Sequence, residues 1–119
     1  MPSQNPSIAA LYQSLCDQQD ALTDALQNCT DPNLAGAIST ENYEVMHRIV
    51  LAQNLLFKQD SPALKQNVQA VTDASSKLQT AIGKIQEASD VIDDVSNYLT
   101  LVDKAIDLAK SLAPLAAAA

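Results

Sequence analysis

The sequence predicts an all-α protein, a bundle of three to four antiparallel helices, and three observations predict it. Apolar residues recur at spacings of three and four along most of the chain, the period of one helix face. Only two glycines, Gly36 and Gly83, occur in 119 residues. That is too few for the tight turns of a β-sandwich or barrel. The prolines punctuate the chain near segment ends, and after Pro62 none occurs until Pro114. A length of 119 residues with 47% apolar composition fits a single folded core. The expected organisation is a disordered N-terminus over 1–5, one helical-bundle domain over 6–113, and a frayed alanine-rich tail over 114–119.

The first helix is expected over about 6–29. Asn5-Pro6 supplies a cap and a first helical residue. Ile8, Leu11, Tyr12, Leu15, Leu22, Ala25, Leu26 and Cys29 then mark one face. Gln18 and Gln19 interrupt it, so the middle of the face is either weakly buried or met by a polar neighbour. Thr30-Asp31-Pro32-Asn33 is a turn cluster, and 30–39 reads as a loop with a short helical turn. Thr40 is placed to cap a second helix over about 41–58. Met46, Ile49, Val50, Leu55, Leu56 and Phe57 suggest that it is the most deeply buried element. Asp60-Ser61-Pro62 opens the last segment, with Ser61 as N-cap and Pro62 as first helical residue.

That last segment carries a heptad pattern. With Leu64 at position a, the a positions are Leu64, Val71, Leu78, Ile85, Ile92, Leu99 and Ile106. The d positions are Asn67, Ala74, Ala81, Ala88, Val95, Val102 and Ala109, and thirteen of these fourteen residues are apolar. Gly83 falls at f and does not oblige a break. Past Glu87 the g positions turn apolar as well, at Val91, Tyr98, Ala105 and Leu112. A stripe this wide needs more than one partner helix, or one broad groove. The unbroken phase predicts one helix over 62–113, roughly 75 Å long at about 1.5 Å per residue. The competing form folds back near Glu87–Asp90, with Ser89 or Asp90 capping a fourth helix, and gives an ordinary up-down bundle.

Charge excludes several function classes. Fourteen acids against seven bases leave a net charge of −7. Such a chain gains no affinity from neutralising phosphates, and it lacks the basic face of a helix lying on an anionic membrane. Asp17, Asp20, Asp24, Asp31, Glu41 and Glu44 all precede the first base, Arg48, so residues 1–47 carry −6 and the rest −1. An acidic first segment near the lysines of 63–86 is one reading of this asymmetry, and a solvated face the other. Cys16 and Cys29, if they share a helix, stand roughly 20 Å apart at about 1.5 Å per residue, beyond disulfide reach. Two reduced thiols, no basic leader and no apolar span point to the cytoplasm, with leaderless export left open.

Few constellations carry chemistry. Glu44 and His47 form an E-x-x-H pair on one helix face. This resembles half of the carboxylate–histidine set of ferritin-like di-iron bundles, which implies an iron site only if an oligomer supplies further carboxylates. With one histidine and three glutamates in the chain, the competing reading is a surface pair beside Arg48. Asp90, Asp93 and Asp94, like Asp17, Asp20 and Asp24, read as solvated acidic faces rather than cation sites. No nucleophile–base pair, glycine-rich phosphate loop or C-x-x-C motif occurs. The expected function is therefore non-enzymatic, with no cofactor: a soluble protein–protein interaction module, scaffold, adaptor or chaperone-like. It would act through an apolar helical surface by self-association or by binding a partner's helices. The residues expected to carry it are Ile92, Val95, Tyr98, Leu99, Val102, Ile106 and Ala109. The alternatives are a membrane-active or exported helical protein, such as a pore-forming or secretion-linked component, and an iron-binding bundle using Glu44 and His47.

Overall fold

The computed structural model describes residues 4–82, 84 and 88–114. It is all-helical, with four helices: α1 (Pro6–Gln27), α2 (Pro32–Gln53), α3 (Pro62–Ile82) and α4 (Ala88–Lys110). Consecutive helices run antiparallel. The expectations for residues 1–3, 115–119, Gly83, Ile85 and Glu87 lie outside the described residues.

Each start follows local chemistry. Asn5 caps α1, its side-chain oxygen accepting from Ser7 N at 2.9 Å and Ile8 N at 3.2 Å, with Pro6 following. Ser61 caps α3 by accepting from Leu64 N at 3.1 Å. The start of α2 differs from expectation. Asp31 accepts from Asn33 N at 3.0 Å and Pro32 is the first helical residue, so 32–40 is helix rather than loop. Thr40 does not cap. It lies inside α2 and donates to the Gly36 carbonyl one turn back, at 3.0 Å.

The last segment is a hairpin, not one continuous helix. The break falls between Ile82 and Ala88, a little before the expected fold-back. The physical reason is burial. A single long helix would leave most of its apolar seam in water, whereas folding back lets α3 and α4 cover each other and be covered by α1 and α2. The buried stripe shifts across the turn. In α3 it follows a and e, at Leu64, Val68, Val71, Ser75, Leu78 and Ile82. In α4 it follows g, d and a, at Val91, Val95, Tyr98, Leu99, Val102, Ala105, Ile106 and Ala109. The continuous heptad phase was thus shared by two helices with different neighbours.

The arrangement also departs from an ordinary up-down bundle. α1 packs on α2 and α3, and α4 packs on α2 and α3, so α1 and α4 stand diagonally opposite. The 54–61 connection crosses the other diagonal over one end of the bundle. It is clamped there on both sides. Asn5, almost wholly buried, donates from its backbone N to Leu56 O at 2.7 Å and from Nδ2 to Lys58 O at 3.0 Å. Ser7 Oγ donates to Asp60 at 2.8 Å. Gln59 N donates to Ala113 O at 2.7 Å and Lys58 Nζ to Leu112 O at 3.1 Å, tying in the chain past α4. Asn5 therefore belongs to the fold, where disorder was expected for 1–5.

A polar layer crosses the middle of the core. Gln18, fully buried, donates from Nε2 to Ser75 O at 3.0 Å and to Ser75 Oγ. The glutamine that interrupts the α1 stripe thus meets a polar neighbour, the second of its two expected fates. Ser14 and the Tyr98 hydroxyl share a hydrogen bond of 2.8 Å across the diagonal. Burial pushes the Tyr98 hydroxyl far above its ordinary pKa, with Ser14 opposing and Asp17 and Cys16 adding to the rise. The phenol therefore stays neutral and acts as a fixed polar tie. Such ties specify the register of α1 against α3 and α4, because a slipped helix would strand buried donors.

Candidate interaction surface

The structure places the seven residues of the expected interaction surface mostly inside the bundle. Val95, Tyr98, Leu99, Val102, Ile106 and Ala109 are buried by this chain's own helices, and Ile92 alone stays at the surface, 46% exposed. The reason is the fold-back described above: α4 meets α2 on one side and α3 on the other, which satisfies its wide stripe within the molecule.

Exposed apolar side chains gather instead on α2. The expectation that this is the most deeply buried helix fails, because it buries only Ile38, Val45 and Ala52. On the opposite side Tyr43 is 71%, Met46 40% and Val50 54% exposed. Phe57, one turn past the helix end, is half-exposed too. The spacing 43, 46, 50 is that of successive heptad a and d positions, and Gly36, Ser39 and Gln53 continue the same line. α2 therefore carries two apolar stripes, one turned to the core and one to solvent.

Charge is kept off this outward line. Pro32, Ala35, Gly36, Ser39, Tyr43, Met46, Val50, Gln53 and Asn54 include no acid and no base, and His47 borders them. The charged residues of α2 turn the other way, toward α4. There Arg48 Nε donates to Asp103 Oδ1 at 2.7 Å and Nη2 to Oδ2 at 3.0 Å, while Nη1 reaches Glu44 Oε2 at 2.9 Å. Arg48 is held more firmly protonated than usual, chiefly through Asp103. Glu41, beside the same group, has its pKa raised by burial and then by Glu44, with Arg48 pulling it down. On the α1 side Gln53 Nε2 donates to the Tyr12 hydroxyl at 3.3 Å.

The candidate metal motif is dispersed. Glu44 is engaged by Arg48, and His47 is exposed on the outer surface. Among the described residues no group of three histidines, cysteines or carboxylates is brought together. Asp90 and Asp93 are exposed, and Asp94 is half-buried beside Tyr98. Cys16 and Cys29 are both free and half-buried, and the Cys29 thiol donates to Asp31 O at 3.3 Å. A cavity of about 440 Å³ opens at the end of the bundle nearest Cys29, lined by Leu22, Ala25, Leu34, Ile38 and Ile82. Asp24 and Cys29 are its ionisable groups among the described residues, and no base faces either.

The class that fold and surface define is an all-α four-helix bundle with a diagonal crossover and an uncharged, apolar outer face on its second helix. Compared with known proteins, the chain matches no family model, no curated protein and no solved structure. No helix among the described residues is long and apolar enough to cross a membrane.

Proposed function

We propose that the protein is a non-enzymatic protein–protein interaction module, a scaffold or adaptor in kind, whose binding surface is the outward face of α2. The reading rests on one observation. Tyr43, Met46 and Val50 hold apolar area in water at coiled-coil spacing, on a helix whose core side is already satisfied by Ile38, Val45 and Ala52. Leaving these side chains exposed contributes nothing to the monomer. Covering them with a second helix stabilises a complex, at about 25 cal/mol per Å² of apolar area removed from water. The fitting partner is a polypeptide helix with its own uncharged apolar seam.

The test is site-specific photo-crosslinking in the cells that make the protein. Benzoyl-phenylalanine at Met46 is expected to yield polypeptide adducts, and the same group at Gln69, on the exposed side of α3, none. Absence of any polypeptide adduct at Met46, or equal yields at both positions, overturns the reading.

A further inference from the structure

We infer that the polypeptide covering this face is a second copy of the chain, docked through an antiparallel α2–α2 pair. The inference rests on the preceding reading of the surface and adds the partner's identity. Two features of the stripe carry it.

The first is charge. Each copy carries −7 and repels another across most approaches. The six acids of residues 1–47 have no lysine or arginine among them, yet none lies on the outward line of α2. Glu41 and Glu44 turn toward Arg48 and α4, and Asp17, Asp20 and Asp24 lie on α1. Two copies meeting through α2 bring no carboxylate against another at the contact. No compensating basic surface is required of the partner, as it would be for a docking site rimmed by acids.

The second is self-complementarity. In an antiparallel pair, a residues of one helix face d residues of the other. Taking Gly36, Tyr43 and Val50 as a, with Ser39, Met46 and Gln53 as d, a two-fold axis level with residue 48 sets Met46 against Val50 of the other copy. The same axis sets Tyr43 against Gln53. In both pairs the bulkier group meets a smaller one, each pair occurs twice, and the symmetry closes at two copies. The helix dipoles also oppose, which favours the antiparallel sense. A pair of single helix faces is at the small end of stable interfaces, so the association is of micromolar rather than nanomolar strength.

Sedimentation equilibrium on the full chain tests this. The wild-type mass is expected to double between about 1 and 300 µM, with tighter association at higher salt because screening relieves the residual repulsion. Met46→Lys and Val50→Glu are each expected to remain monomeric over that range, with helical circular dichroism unchanged and, at about 1 µM where the wild type is monomeric too, unchanged thermal midpoints. Mixed one to one, the two variants are expected to restore the dimer. The axis places each lysine against a glutamate of the other chain and leaves an unaltered Val50–Met46 contact on the opposite side. A strictly monomeric wild type, variants that still dimerise, or a mixture that stays monomeric each overturns the antiparallel self-pairing. The surface reading fails separately. A monomeric wild type whose Met46 still crosslinks to a different polypeptide removes only the second copy, whereas loss of all adducts removes the binding surface itself.

Discussion

Helices α2 and α4 are 22 and 23 residues long and both pack against two neighbours, yet they use their apolar residues in opposite ways. α4 turns nearly all of its large apolar side chains inward and leaves only Ile92 substantially exposed. α2 divides its own between Ile38, Val45 and Ala52 inside and Tyr43, Met46 and Val50 outside. The contrast teaches that apolar content does not locate a core. The phase of each apolar residue around the helix decides, and a helix with two phases has one more than the monomer needs.

The sharpest way to break this comparison is to place the same charge in each helix. Val102→Asp puts an unpaired carboxylate in the fully buried stripe of α4 and is expected to cost about 4 kcal/mol or more. That approaches the whole stability of a small domain, so the cooperative thermal transition should be lost. Val50→Asp, on the outward line of α2, is expected to change stability by no more than about 0.5 kcal/mol in urea titration. Equal losses for the two would erase the distinction between the helices.

A smaller effect is expected where the two helices meet. Arg48→Ala removes the forked contact with Asp103 and the bond to Glu44, and should cost about 1–2 kcal/mol by chemical denaturation. The carboxylates are half-exposed, so part of that loss should itself fall away in high salt.

The smallest effect belongs to Glu41. Folding raises its pKa, first by burial and then by Glu44, so the folded state disfavours the ionised form. For an acid shifted upward, this cost is full above the folded pKa and vanishes once pH falls below the unfolded value. Glu41→Gln should therefore stabilise at pH 7, by at most about 0.5 kcal/mol, and change nothing at pH 3. Thermal melts at both pH values read the sign, and destabilisation at pH 7 would mean that Arg48 outweighs burial.

Much of the fold was legible because capping chemistry is local. Asn5-Pro6 and Ser61-Pro62 open α1 and α3 as their sequences indicate, and Gln18 finds the polar neighbour that its place in an apolar stripe requires. The candidate surface was much less legible, and one boundary explains why. Starting α2 at Thr40 instead of Asp31 removes Leu34 and Ile38 from the helix. Those two residues, with Val45, Ile49 and Ala52, fix which side of α2 faces the core. Without them Met46 and Val50 count as core, although with Tyr43 they form a second line at heptad spacing. On α4 the wide stripe was read correctly as needing more than one partner helix, and the partners are this chain's own α2 and α3.

The sequence alone determined that the chain is helical, where α1 and α3 begin, and that nearly all of its net negative charge belongs to the first 47 residues. These follow from period, proline and capping side chains, which act over a few residues. Only the tertiary structure decided that 62–113 folds back, that the second connection crosses the diagonal, and which apolar stripe stays in water. Those outcomes depend on which helices cover one another. A heptad pattern records that a face must be covered without recording by what, and burial between residues far apart in the chain supplies that answer.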